Sequence, residues 1–132
     1  MISLSNMKIA SSTPHPADDT YVIDQYEKTV TMSTYLLAFI VCEFESTFAT
    51  GHENFKIWAA KSNLPDLAYA AEIGPNITAY YGRLFDFEFP LAKLDMAAIP
   101  DFQSGAMENW GLITYRDSNL FYNPENYAES NR

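Results

Sequence analysis

Lys93-Leu94-Asp95-Met96-Ala97-Ala98-Ile99-Pro100-Asp101-Phe102-Gln103-Ser104-Gly105-Ala106-Met107-Glu108-Asn109-Trp110-Gly111-Leu112-Ile113-Thr114-Tyr115-Arg116 is the most informative stretch of the sequence. Leu94–Ile99 and Gly111–Tyr115 are short apolar runs bounded by turn formers, and they predict two strands. Between them Gly105 and Ala106 carry almost no side chain, which lets another backbone come close. Glu108 stands alone as a charge beyond that small pair, and Arg116 with Asp117 predicts a solvated pair at a strand end.

Upstream, Phe55–Ala59 alternates as a strand, and Asn63-Leu64-Pro65-Asp66 breaks it. Asp66 stands where a helix N-cap belongs, ahead of Leu67, Ala70, Ala71 and Ile73. The spacing resumes at Ile77, Tyr80, Tyr81 and Leu84. Gly74-Pro75 interrupts that helix, because proline lacks an N–H and crowds the preceding turn, so a kink or two short helices are expected. Further back, residues 49–54 read as a loop, and Met32–Phe48 as a mostly buried strand. Tyr21–Thr29 reads as a second strand, and the loop formers from Ser11 to Asp19 as a surface connection. Residues 3–10 are too short and mixed to assign, and Asn123–Arg132 is polar and reads as loop.

The composition bounds the function. Of the 132 residues 48% are apolar and 19% charged, which suits a packed chain and not a disordered one. The net charge of -9 and the scattered Lys and Arg leave no positive stripe for a phosphate backbone, so nucleic acid and anionic membranes are excluded as expected partners. A cationic ligand such as a peptide's protonated amino terminus suits that balance, although solubility alone also explains it. Cys42 is the single cysteine, so no internal disulfide, Cys-rich zinc module or CxxC site can be built. The first residues lack a secretory signal's basic start and apolar stretch, and the longest apolar run, Tyr35–Cys42, falls far short of the roughly 20 residues that span a bilayer.

The segment from Lys93 to Arg116 resembles the GAMEN region of the zinc aminopeptidases of the aminopeptidase N type. Met32-Ser33-Thr34-Tyr35-Leu36-Leu37-Ala38-Phe39-Ile40-Val41 resembles the end of that family's N-terminal β domain. Glu72-Ile73-Gly74-Pro75 through Phe89-Pro90-Leu91 resembles the start of its catalytic domain. Three blocks in the right order make the likeness specific. It implies an α+β fold: residues 1–50 as the end of an N-terminal β-sandwich or saddle domain, and residues 51–132 as the β-rich first lobe of a thermolysin-like (gluzincin) catalytic domain, both incomplete.

The resemblance also implies a function, the release of amino-terminal residues from peptides. An exopeptidase must hold a free ammonium better than an internal amide, and a carboxylate supplies that difference through a charge-assisted hydrogen bond. By this likeness the substrate-binding residues are Gly105, Ala106, Met107, Glu108 and Asn109. Glu108 takes the amine, the Gly105 and Ala106 backbone pairs with an extended peptide, and Met107 walls the first specificity pocket. Asn109 and Trp110 act more as supports of the strand. Without the likeness, Glu108 is a solvated strand-end carboxylate and Met107 and Trp110 are ordinary packing residues.

The family's zinc chemistry needs HExxH on a helix, a further Glu ligand and a Tyr, and none of these can be placed here. His15 and His52 lie far apart in loop-like segments and read as surface residues. Zinc is thus expected in the family parent and not on this chain, which is expected to be inactive in isolation and to supply only the holding part of the site. The rival expectation is a noncatalytic protein that binds peptides or pairs with a full-length enzyme. Open sheet edges further predict self-association. Asn76-Ile77-Thr78 is an N-x-Thr sequon on the predicted helix, which fits a plasma-membrane or extracellular parent.

Overall fold

Strand alternation and one apolar helix face organise the chain into three layers. The computed structural model describes residues 1–49 and 51–123. The elements run β1 (Ile2–Ser5), β2 (Ile9–His15), β3 (Asp18–Tyr26), a 3-10 turn Thr34–Leu36, β4 (Phe39–Cys42), β5 (Glu45–Ala49) and β6 (His52–Ala59). A 3-10 segment Lys61–Leu67 leads into α1 (Ala68–Leu84), followed by β7 (Leu94–Ile99), β8 (Ala106–Met107), β9 (Leu112–Arg116) and α2 (Asp117–Leu120). The fold is sheet-rich α+β. No helix among the described residues is long and apolar enough to cross a membrane.

The main sheet has the order β5-β6-β7-β9-β8. Its centre is parallel, with β6 beside β7 and β7 beside β9, and both edges are antiparallel. Parallel neighbours need a long crossover, and α1 is the one between β6 and β7. On the helix side Phe55 and Ile57 of β6 pack with Leu67, Ala70, Ala71, Leu94 and Ala98. On the other side Leu4, Ala97 and Leu112 are buried, with Ile2, Ile40 and Trp58 against them. That second face is covered by the antiparallel pair β1–β4. Being covered twice, β7 is buried at alternate and consecutive positions alike, as expected of a central parallel strand.

Several expectations need correction. Met32–Phe48 is neither one strand nor mostly buried, with Leu37, Phe39, Val41 and Phe48 all exposed. It divides into the 3-10 turn, β4 and β5, because β4 pairs with β1 while β5 turns away to pair with β6. Ser11–Asp19 is not a surface connection but most of a hairpin, with Ser12 opposite Asp24 and Pro14 opposite Val22. Every residue of β2 is exposed, so no apolar alternation marks it, and an edge strand tolerates Pro14. Residues 3–10, left unassigned, hold β1 and the start of β2.

Gly74-Pro75 does not divide the helix either. α1 runs unbroken for 17 residues with Pro75 inside it and both residues buried. Gly74 lies so close to β6 that a Cβ there would sit 2.8 Å from Phe55 Cζ. Burial of that face outweighs the missing N–H, whose cost is about 3 kcal/mol. Asp66 is not the N-cap; it lies in the 3-10 segment, where its carbonyl accepts from the Tyr122 N–H and its carboxylate from Asn123. The loop expected at 49–54 is only a tight turn around Gly51, since β6 already begins at His52. The loop expected at Asn123–Arg132 lies, beyond Asn123, outside the described residues.

Candidate recognition site at the open sheet edge

β8 is one of the two edge strands of the main sheet, and among the described residues it is braced from one side only. Ala106 stands opposite Tyr115 and Met107 opposite Thr114, while the Arg116 N–H donates to the Gly105 carbonyl at 3.0 Å. Hydrogen-bonding direction alternates along an antiparallel strand, so the N–H and C=O of Ala106 face away from β9. Gly105, Ala106 and Glu108 are exposed, Met107 is half-buried and Asn109 is buried.

Residues on either side fix this short strand. The Asn119 amide of α2 donates to the Gly105 carbonyl at 3.2 Å, and a Cβ at Gly105 would fall 2.9 Å from that nitrogen. Arg116 donates from Nε to the Phe102 carbonyl at 2.7 Å and from Nη2 to that of Gln103. The expected Arg116–Asp117 pair is therefore replaced by a clamp on the loop entering β8. Asp117 instead accepts from the Ser118 N–H at 2.6 Å.

Beyond Glu108 the chain turns through a buried polar cluster. Asn109 donates its amide to the Leu36 carbonyl at 3.3 Å and accepts from the Thr114 hydroxyl at 3.1 Å, while its backbone carbonyl accepts from Leu112. Its side chain is thus engaged by the protein itself. Trp110 is 39% exposed, less enclosed than a packing residue would be. Gly111 has φ +77°, in the left-handed region, and a Cβ there would lie 2.2 Å from the Asn6 carbonyl oxygen. Only glycine meets both conditions without strain.

Lys93 closes the cluster. Its buried ammonium donates to the Asp95 carboxylate at 2.9 Å, the Gly111 carbonyl at 2.8 Å and the Ser5 carbonyl at 2.6 Å. Burial pulls its pKa below the ordinary lysine value, with the Asp95 charge opposing. Asn6, 1% exposed, completes the ties. Neither Asn6 nor the Lys93–Asp95 pair was singled out from sequence. Two charges at i and i+2, hence on one face of an otherwise apolar strand, were the available signal for the pair; Asn6 had none.

Among the described residues no hydrogen bond or ion pair engages the Glu108 carboxylate. It is an open acceptor just past an open strand edge, suited to a cationic donor. His15 and His52 are both exposed, on β2 and β6, and the ring of His15 accepts from the Ala17 N–H. No three His, Cys, Asp or Glu of the described residues are gathered so as to hold a metal ion, so these residues do not fit a zinc centre. Asn76 is exposed on α1 and donates to the Glu72 carbonyl.

The segment has clear relatives. The model described as the Peptidase family M1 domain matches residues 69–132, a span that includes Gly105–Asn109. Endoplasmic reticulum aminopeptidase 2 of Bos taurus is 46% identical over 111 residues, covering 83% of this chain and 12% of its own length. Glutamyl aminopeptidase of Homo sapiens is 41% identical over 132 residues, covering 98% and 14%. Aminopeptidase N of Mus musculus is 38% identical over 136 residues, covering 100% and 14%. The chain thus spans 12–14% of the length of these curated relatives. On the agreement of the domain match with these relatives, the chain belongs to peptidase family M1.

Proposed function

We propose that the β8 edge and Glu108 receive the free amino terminus of a peptide, as the recognition part of an aminopeptidase. The observation that carries this reading is the exposed Glu108 carboxylate, without a partner among the described residues, beside the outward-facing backbone of Ala106. An extended peptide adds to that edge as a further strand, its ammonium bonded to Glu108 and its first side chain against Met107. Gly105 and Ala106 leave room for it. In this reading the residues described here hold and orient the substrate. Relatives named as aminopeptidases support this assignment.

In the same reading, residues 1–50 end an N-terminal β domain and residues 51–132 open a thermolysin-like catalytic lobe. The helix-backed sheet supports the second assignment. β5 lies on the N-terminal side of that division yet pairs with β6 across it, so the two parts share one sheet.

The test uses the 132-residue chain and two probes, trialanine amide and its N-acetylated twin, titrated by NMR. Because Glu108 is exposed, the preference for the free amine belongs in the exposed ion-pair range, about 0.5–1 kcal/mol or roughly two- to fivefold. Glu108→Gln should remove the preference and leave the weak strand pairing. Equal binding of both peptides by the unsubstituted chain, or a preference that survives Glu108→Gln, would sink the reading.

A further inference from the structure

The carboxamide of Asn6 is saturated by bonds to two separate segments. Its Nδ2 donates to the Leu36 carbonyl at 2.9 Å and to the Trp110 carbonyl at 2.7 Å, and its Oδ1 accepts from the Ala38 N–H at 2.9 Å. The side chain is among the largest in the chain to be fully buried. The Leu36 carbonyl is shared, for it also accepts from Asn109. Trp110 and Asn109 are the two residues that follow Glu108, and Gly111 next to them touches the Asn6 backbone.

From this geometry we propose that Asn6 is a positioning residue for amine recognition, acting on Glu108 through the Asn109–Trp110–Gly111 turn. The inference rests on the recognition reading given above. β8 has only two residues and one neighbouring strand, so its pairing with β9 is a short lever on what lies beyond Met107. The turn after Glu108 is pinned also from the β1–β4 side, where Asn6 bonds both the turn and the Leu36–Ala38 segment, beside the Asn109 bond to Leu36 and the Lys93 bond to Gly111. A buried amide with all its groups satisfied is a stiff joint, because moving any partner leaves a polar group unpaired. The direction of the Glu108 carboxylate is therefore set by residues that never touch the peptide.

The experiment measures the ratio of trialanine amide affinity to N-acetylated peptide affinity for the unsubstituted chain, Asn6→Ala and Ile57→Val. Ile57→Val is a core change on the helix side of the sheet, which lowers stability without touching the turn. The ratio is expected to fall from the two- to fivefold exposed-pair range to about one in Asn6→Ala and to hold in Ile57→Val. An unchanged ratio in folded Asn6→Ala overturns the proposal. Should Asn6→Ala not fold, the Asn6 carboxamide resonances of the unsubstituted chain decide: a shift on adding the free-amine peptide but not its acetylated twin supports the coupling, and no shift overturns it. If the unsubstituted chain shows no preference, the recognition reading itself fails and the positioning role falls with it.

Discussion

Gly111 and Gly51 share a φ of +77° but not their surroundings, which makes them a matched pair for one prediction. A Cβ at Gly51 meets nothing within 4 Å, whereas at Gly111 it meets Asn6 O at 2.2 Å, Leu91 Cδ1 at 3.0 Å and Asn6 C at 3.2 Å. Left-handed backbone costs an L-residue about 1–2 kcal/mol, and the lost unfolded-chain freedom of glycine returns about 0.4–1 kcal/mol. Gly51→Ala should therefore destabilise by roughly 1 kcal/mol. Gly111→Ala must also push the Asn6 backbone away by about 1 Å to reach ordinary contact. That movement strains the Asn6–Trp110 bond and the Lys93 bonds to Ser5 and Gly111. Loss of one or two buried bonds at about 1–3 kcal/mol each brings the expected total to about 3–5 kcal/mol. Urea unfolding of both variants with the unsubstituted chain measures the difference directly. Equal losses for the two alanines would refute the close-contact account and leave only the backbone strain.

Lys93→Met should cost about 3–5 kcal/mol, because Asp95 is left buried without its partner. Lys93→Met with Asp95→Leu should recover more than half of that loss, and a single substitution costing under about 1 kcal/mol in urea would show the pair to be solvated. Burial raises the Tyr115 hydroxyl above the ordinary tyrosine value of 10.0. The folded chain then keeps its proton longer than the unfolded chain, so the stability from Tyr115 is complete below pH 10.0 and is lost as pH rises through the raised value. Tyr115→Phe should flatten the alkaline fall in urea midpoint without abolishing it, since Tyr26 is raised by burial as well; an unaltered slope would count against a shifted Tyr115.

How legible each part was depends on where its partners lie. β6, β7 and β9 were readable because their apolar patterns are local. The Met32–Phe48 stretch was misread on two counts: its apolar run is largely exposed, at Tyr35, Leu37, Phe39, Val41 and Phe48, and a run of apolar residues does not say which strand it will pair with. The switch from β1 to β6 as pairing partner is decided by chain segments on either side. Pro75 was misread for a related reason: the energy that keeps α1 whole comes from Phe55 packing on Gly74, 19 positions away.

The candidate site shows the same division more sharply. Its proposed contact residues form one continuous stretch and rest on their likeness to a family motif, whereas spacing alone left Glu108 an ordinary solvated carboxylate. The joint that holds that stretch draws on Asn6, Leu36, Lys93 and Asp95, with partners as far as 104 positions apart. No local pattern marks such residues, because a polar side chain saturated by distant backbone groups looks the same in sequence as one bonded to water. The peptide recognition proposed for Glu108 should therefore be sensitive to changes at Asn6, just past the first strand, although that residue lies outside the motif and on the far side of the turn.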